Sequence, residues 1–231
     1  MSVTKETTSC APPSEPPTGS FLDAVARWIE GGGTGTPSRH LLDLGQLVAA
    51  DSLERAPRAI VRFYANPLEF SIRTGVEMSP LSRLVFGVFA AIARQSCVTD
   101  AGPAFEGYPV AQFLYRDRRG RLHWDRYVCI GGRWRRLFLA RVEAREKLLR
   151  ETFVVCGLPV TLCFRATADA SGLSLVLARR WQEPWSYLLD VSYRTSELER
   201  GLRTLGDFRV RLFGLRVLTE FRMQRSATSD A

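Results

Sequence analysis

Histidine is scarce in this chain of 231 residues, which has only His40 and His123. The two lie far apart in the sequence, and no two of the five cysteines have the spacing of a zinc site. The sequence also lacks a Gly-Lys-Ser/Thr phosphate loop, a G-x-G-x-x-G turn after a predicted strand and a G-x-S-x-G elbow. These absences argue against a zinc enzyme, a nucleotide-phosphate site and a serine hydrolase of that type, and we expect no cofactor.

Long apolar runs are also missing, since none reaches the roughly 18 residues that a membrane-spanning helix needs. Residues 1–17 lack the basic start and apolar core of a secretory signal, and four prolines there oppose a helix. The cysteines are irregularly spaced, and three of them sit in apolar, strand-like runs: Cys129, Cys156 and Cys163. Free thiols in a reducing compartment explain this pattern better than a disulfide framework. We therefore expect a cytoplasmic protein.

Lysine is nearly absent, because Lys5 and Lys147 are the only two among 32 basic residues. Together with abundant alanine and glycine, the arginine bias is typical of a GC-rich, bacterial genome. The segment Arg116–Arg150 has 11 Arg and one Lys against four acidic residues, a local charge of +8 that equals the net charge of the chain. Such a segment can bind nucleic acid or an anionic membrane surface. A solvated sheet face with charged loop tips is the alternative interpretation.

The N-terminal part of the chain is predicted to be helical. Ser20 can cap a helix over Phe21–Glu30, a second short helix follows Ser38, and a third starts near Pro57 and ends at Asn66. The strongest helix signal comes next, with Ser79 as cap and Pro80 as first residue. It carries an apolar stripe at helical spacing: Leu81, Leu84, Val85, Val88, Phe89 and Ile92. We expect this last helix to be a core helix, buried on most sides.

From Tyr108 onward the pattern is that of a β-meander, after one earlier strand near Leu68–Val76. The predicted strands are Val110–Arg116, Arg121–Ile130, Arg133–Val142, Glu151–Cys156, Val160–Thr167, Leu173–Trp181, Ser186–Arg194 and Phe208–Met223. A short helix is predicted over Ser196–Leu205. The last strand changes parity at Gly214, which indicates a glycine bulge that bends the sheet.

These elements predict an α+β fold, in which a helical N-terminal portion packs on a strongly curved antiparallel β-meander or half-open barrel of about eight strands. The expected boundaries are a disordered leader over residues 1–19, a helical portion with one strand over 20–100, a sheet or barrel domain over 101–225, and a disordered tail over 226–231.

One predicted hairpin brings chemically useful side chains together. If Gly131-Gly132 is a two-residue turn, Tyr127 pairs with Arg136, and Asp125 pairs with Phe138. One face then holds His123, Asp125 and Tyr127, with Trp134 and Arg136 across from them. Histidine beside a carboxylate and a phenol can perform acid–base chemistry, and Arg136 can hold an enolate or a carboxylate. A mixed polar and aromatic row is also typical of an ordinary solvent-facing sheet.

Other residues suggest a buried pair and an aromatic lining. Arg126 interrupts an apolar face and should need a carboxylate if buried, which Glu151, Glu183 or Glu220 could supply. We assign Arg126 and Glu151 as a structural ion pair. The aromatic residues assigned to ligand binding are Trp124, Trp134, Trp181, Trp185 and Tyr187. The last three either line a pocket mouth or close the end of a barrel.

The hairpin with Trp124-Asp125-Arg126-Tyr127, the strand with Glu151-Thr152-Phe153 and the ending Phe208–Met223 resemble an uncharacterised bacterial domain sometimes fused to saccharopine-dehydrogenase-like proteins. The resemblance covers about Tyr108 to Met223. It implies a sheet-rich fold and supplies no mechanism.

Three functions remain open from the sequence. The first is binding of a small apolar or amphipathic ligand in a cavity enclosed by the sheet, extending to cofactor-independent isomerisation or cyclisation if the His123 row faces that cavity. The second is a basic module that binds nucleic acid or an anionic membrane through Arg116–Arg150. The third is an accessory protein that pairs a sheet edge with a partner.

Overall fold

A computed structural model describes residues 42–65, 67, 70–92, 107–116, 119–130, 133–155 and 157–225. The predicted leader, the predicted helix over Phe21–Glu30 and the predicted tail lie outside these residues. Where a second short helix was predicted after Ser38, the described part contains a single 3-10 turn, Leu44–Gln46. Three α-helices follow in the described ranges: α1 (Ala50–Arg55), α2 (Arg58–Ala65) and α3 (Pro80–Ile92).

Ten antiparallel strands form a closed barrel in the order β1-β10-β9-β8-β7-β6-β5-β4-β3-β2. The strands are β1 (Phe70–Met78), β2 (Tyr108–Arg116), β3 (Leu122–Ile130), β4 (Arg133–Arg145), β5 (Leu148–Val155), β6 (Leu158–Asp169), β7 (Gly172–Leu177), β8 (Leu189–Leu198), β9 (Gly201–Val210) and β10 (Leu215–Arg225).

The barrel closes through β1, which pairs with the last strand over nine residues, from Phe70↔Arg225 to Met78↔Val217. On its other side β1 pairs with β2 over only three residues, from Ile72↔Val110 to Thr74↔Tyr108. The predicted α+β fold with a half-open meander of about eight strands is therefore wrong. The strand that was expected among the N-terminal helices is the closing strand of a mostly β structure.

Two further errors explain why β9 was not predicted as a separate strand. The predicted helix over Ser196–Leu205 is instead the end of β8, a turn and the start of β9. Thr204 and Gly206 occupy inward positions of β9, so the alternation of apolar residues is weak there. The predicted bulge at Gly214 is a hairpin turn, in which Gly214 has φ of 60° and Val210 pairs with Leu215. Either structure changes the parity of the apolar residues, so the pattern alone did not distinguish them.

The two ends of the barrel carry different helices. β1 runs from the end where α2 lies, which we call the α2 end, to the end where α3 begins, which we call the α3 end. Helix α2 contacts β8 and β9 and buries Ile60, Phe63 and Tyr64. The ring of Tyr64 lies edge-on to Trp124, a residue of β3, with 6.1 Å between ring centroids. Helix α2 thus contributes side chains to the barrel core from one end.

Helix α3 begins where the sequence predicts. Ser79 Oγ accepts a hydrogen bond from the Ser82 backbone N–H at 3.1 Å, and Pro80 is the first helical residue. However, the buried face of α3 is not the face that the sequence predicts. The helix packs through buried Ser82 and through Phe86, whose ring lies 5.3 Å from that of Phe208. The predicted core stripe is 40–67% exposed at Leu81, Leu84, Val85 and Val88. The prediction of a core helix is therefore wrong.

The described residues include no helix that is long and apolar enough to span a bilayer.

Candidate functional site

The barrel interior contains a cavity with both aromatic and charged walls. Its lining includes Tyr64 of α2, Gln112 of β2, Trp124 and Arg126 of β3, Glu151 of β5 and Tyr193 of β8. The space open to the centres of water molecules is about 30 Å³. A water molecule needs about 10–15 Å³ of such space, so about two or three waters fit. A larger guest requires side chains of the lining to move.

Arg126 is held in the cavity by aromatic rings and one hydrogen bond. Its guanidinium carbon lies 3.9 Å from the centroid of the Trp124 ring and 5.1 Å from that of Phe138. Gln112 Oε1 accepts from Arg126 Nε at 3.0 Å and from Trp124 Nε1 at 2.6 Å. Among the described residues, the terminal nitrogens of Arg126 have no hydrogen-bond partner. The guanidinium is therefore held in place through Nε, and its terminal nitrogens remain available as hydrogen-bond donors.

Glu151 is the acidic member of the lining and is only 5% exposed. Burial raises the pKa of its carboxyl group, and the positive charge of Arg126 lowers that pKa by a smaller amount. In the described part of the chain, no donor lies within hydrogen-bond or ion-pair distance of its oxygens. Arg126 and Glu151 thus share one cavity without direct contact, and their assignment as a structural ion pair stays a prediction.

Hydroxyl groups complete the polar part of the lining. The Tyr64 hydroxyl lies 3.2 Å from Thr195 Oγ1, which lies 2.7 Å from Thr204 Oγ1. Burial raises the pKa of Tyr193 to about 12, with a further contribution from the charge of Glu151. Tyr193 therefore keeps its proton at neutral pH and remains a hydrogen-bond donor. No described residue accepts a hydrogen bond from it.

A glycine makes room for the Tyr193 ring. Gly206 lies directly across from Tyr193 on one side and Thr219 on the other. A Cβ atom at this position would lie 2.9 Å from a Tyr193 ring carbon, and would also clash with Thr219 Oγ1. Residue 206 must consequently be glycine for the tyrosine to keep its place in the lining.

The row predicted from the sequence lies on the outside of the barrel. His123, Asp125 and Tyr127 have the opposite parity on β3 from Trp124 and Arg126, which point inward. The Tyr127 hydroxyl donates to Asp125 Oδ2 at 3.3 Å, and Asp125 is buried. The three residues share a face as expected, but it is not the face that lines the cavity. The proton chemistry that the sequence assigned to this row therefore has no support from the cavity.

The register of the β3–β4 hairpin agrees with the prediction near the turn and departs from it farther away. Tyr127 pairs with Arg136 and Cys129 pairs with Trp134, as predicted. Asp125 pairs with Leu139 instead of Phe138, because β4 has a bulge opposite the step from Arg126 to Tyr127. The side chains of Trp134 and Arg136 lie outside the described part.

That bulge also explains why the sequence did not place Phe138 beside Arg126. It turns Phe138 toward the interior, where the ring meets Arg126. The predicted register paired Phe138 with Asp125 and so placed it on the other face, with His123. Of the missed lining residues, Gln112 gave a usable signal: it is a polar residue at an inward position of an otherwise apolar strand, directly opposite Arg126.

Of the four assigned aromatic residues whose side chains are described, Trp124 is the one that lines the cavity. Trp181, Trp185 and Tyr187 belong to the connection from β7 to β8, which includes a 3-10 helix over Pro184–Tyr187. Trp185 Nε1 donates to the Thr161 carbonyl at 2.9 Å, so this connection is fastened to β6. Trp181 and Tyr187 are exposed to solvent.

A second polar cluster lies where the same connection meets β6. The buried Cys163 Sγ donates to Glu183 Oε1 at 3.1 Å. Burial raises the pKa of the thiol, and the hydrogen bond to Glu183 raises it further. A raised pKa disfavours the thiolate, so this cysteine is a poor nucleophile.

Comparison with protein-family models, curated proteins and solved structures gives no match for this chain. Within the described residues, no group of three or more His, Cys, Asp or Glu side chains could hold a metal ion. The interior cavity is the strongest candidate site on the basis of its own geometry.

Proposed function

We propose that the barrel binds one small amphipathic molecule in its interior, with a carboxylate or carbonyl oxygen beside Arg126. The single observation that carries this proposal is the convergence of three polar groups without partners among the described residues. These are the terminal nitrogens of Arg126, the Glu151 carboxyl group and the Tyr193 hydroxyl, and all three residues line one cavity. Buried polar groups in native proteins are nearly always hydrogen-bonded, so an unpaired set at one place indicates a bound water or ligand.

The chemistry of the three groups limits the head group of the ligand. Arg126 offers donors and a positive charge, and Tyr193 offers one more donor. A raised pKa favours the protonated form of Glu151, which can donate a hydrogen bond to a carbonyl or accept one from a hydroxyl. A carboxylate or an α-hydroxy-carbonyl group can form hydrogen bonds with all three side chains. The apolar remainder of the ligand would contact Trp124 and Phe221, which also line the cavity.

The size of the cavity limits the ligand further. Space for about two or three waters suits a head group but not a larger body. Phe63 and Tyr64 enter the lining from α2, the only helix among the described elements that contributes to it. We expect these two side chains to change rotamer when a ligand with an apolar body binds.

Proton transfer to a bound carbonyl is the enzymatic extension of this proposal. A protonated Glu151 beside a carbonyl held by Arg126 has the arrangement of a general acid next to an electrostatic stabiliser. This assignment replaces the outer His123 row by the inner Glu151 as the group that would move a proton.

Calorimetric titration with hexanoate and phenylacetate tests the binding proposal. Replacing Arg126 with Met removes a charged hydrogen-bond donor worth about 1.5–3 kcal/mol, so we expect binding to weaken by at least about ten-fold. Arg126→Lys keeps the charge and should retain part of the affinity. Arg165→Met is the matched control, because Arg165 is an exposed arginine on the neighbouring wall. If Arg126→Met and Arg165→Met have the same affinity, the proposed head-group site is wrong.

The basic segment Arg116–Arg150 is less well supported as a polyanion site. Where its side chains are described, Arg141 lies 3.8 Å from Glu143 and Arg145 lies 3.6 Å from Glu146. These ion pairs reduce the free positive charge of the segment. Retention on a polyanion column that falls steeply with salt would favour this function over ligand binding.

A further inference from the structure

Most of the exposed large apolar side chains of the described residues lie at the α3 end of the barrel. Helix α3 presents its stripe there, and the β9–β10 turn presents Leu212 and Phe213, which are 64% and 70% exposed. The exposed residues Tyr187 and Leu188 precede β8 at the same end, and Leu158 follows the β5–β6 turn. At the α2 end, by contrast, the one exposed large apolar residue is Leu198 within the described chain.

Hydrogen bonds join three of these segments into one surface. The Arg216 backbone N–H donates to Ser82 Oγ at 3.3 Å, which fastens α3 to the start of β10. The Arg211 backbone N–H donates to the Leu188 carbonyl at 2.9 Å, which fastens the β9–β10 turn to the segment before β8. We call this joined surface the apolar tip. Its members are Leu81, Leu84, Val85, Val88, Tyr187, Leu188, Leu212 and Phe213.

Arginines lie immediately behind the apolar tip. Arg179 and Arg211 share Asp190, and Arg209 and Arg216 share Asp207. Four arginines against these two carboxylates give +2, and the charge of Glu77, which acts on Arg216, lowers the net charge of this collar to +1. The tip is thus apolar at its extremity and positive just behind it.

The positive charge behind the apolar tip distinguishes between two partners that could cover it, a second copy of the chain and a bilayer. A second copy of the chain, docked tip to tip, would bring two positive collars together, and like charges oppose that contact. A bilayer with anionic lipid offers the matching arrangement, with negative head groups outside and apolar chains beneath. Isolated apolar tips from separate turns and one helix face also suit insertion between lipids better than a flat protein interface.

We propose that the α3 end of the barrel docks on the surface of a bilayer that contains anionic lipid. The apolar tip inserts among the lipids, and the arginine collar contacts their phosphate and carboxylate groups. This surface binding is independent of the interior cavity and does not require that the barrel hold a ligand.

Co-sedimentation with vesicles tests the proposal. The full chain is mixed with vesicles of phosphatidylcholine alone or of phosphatidylcholine with phosphatidylserine, at low and at physiological salt. We expect binding to the phosphatidylserine vesicles that weakens with salt, and weak binding to phosphatidylcholine alone. The double variant Leu84→Gln/Phe213→Ser should lower the partition coefficient by about ten-fold or more, because it removes two inserting side chains.

The controls use exposed apolar residues away from the tip. Leu198→Gln at the α2 end and Leu205→Gln on the barrel wall replace side chains that are 45% and 40% exposed, and both should bind vesicles like the parent chain. All the substituted residues are exposed, and unfolding curves will verify that each variant is folded. The proposal is overturned if neither vesicle binds the chain, or if the controls lose as much binding as the tip variant. A concentration-dependent dimer that Leu84→Gln/Phe213→Ser abolishes would assign the surface to a second copy instead.

Discussion

Replacing Glu151 with Gln tests the electrostatics of the barrel interior most directly. Moving a carboxylate from water into a protein interior costs several kcal/mol even after relaxation. Arg126 lies beyond ion-pair distance, where an effective dielectric constant of about 20 limits its attraction to at most about 4 kcal/mol. Burial outweighs this attraction, because it is the larger of the two effects on the Glu151 pKa and raises it. The charged form of Glu151 therefore destabilises the folded state.

Glutamine keeps the shape of the side chain and removes its charge. At neutral pH we expect Glu151→Gln to leave the free energy of unfolding unchanged or to raise it by about 1 kcal/mol. Loss of one partner from a tight buried ion pair would instead lower it by about 3–5 kcal/mol. Urea unfolding followed by tryptophan fluorescence measures the difference. Glu197→Gln is the control, because Glu197 is exposed and should change stability little.

The pH dependence gives an independent check on the same argument. A pKa that is raised in the folded state means that folding favours protonated Glu151. Its stabilising contribution is full below the ordinary pKa of about 4.3 and is lost as the pH rises through the raised value. The stability of Glu151→Gln relative to the parent chain should consequently grow with pH over that window. A loss of about 3 kcal/mol or more at neutral pH would refute the reasoning and establish a close ion pair with Arg126.

Two further substitutions test other parts of the barrel. Gly206→Ala should lower the free energy of unfolding by about 1–3 kcal/mol because the new Cβ overlaps Thr219 and the Tyr193 ring, and adding Thr219→Ala should recover part of the loss in urea unfolding. Asp207→Asn should lose about 1 kcal/mol at neutral pH, since two arginines hydrogen-bond this carboxylate and hold its pKa well below the ordinary value. The contribution of Asp207 is full above about pH 4 and falls as the pH drops further, so unfolding curves of variant and parent should converge in acid.

Local signals in the sequence predicted local structure well. Ser79 and Pro80 gave the start of α3, because a serine cap and an N-terminal proline act within one helical turn. The observed pairing of Tyr127 with Arg136 agrees with the pairing that the predicted two-residue turn at Gly131-Gly132 implied. In each case the determining contacts lie within about ten residues of one another, so the sequence pattern contains them.

Features that depend on distant contacts were not predictable in this way. Nothing near Phe70–Met78 indicates that this strand pairs with Leu215–Arg225 and closes a barrel. The apolar stripe of α3 predicts burial, but the face that meets β10 and Phe208 is the other one. The candidate site depends on the first of these features, since the inner face of a closed barrel could not be defined before its closure was known.

Closure through the first and last strands has a consequence for how the protein is made. The ribosome synthesises β1 before the other nine strands of the barrel, yet all nine of its residues pair with residues that lie 139 to 155 positions later in the chain. Until Leu215–Arg225 emerges, one edge of β1 has no strand to pair with and its other edge has only a three-residue ladder. Folding dominated by such distant pairings is slow, on the order of milliseconds to seconds. The nascent sheet thus has an open edge for most of its synthesis, and that is the stage at which a chaperone would have the most to protect.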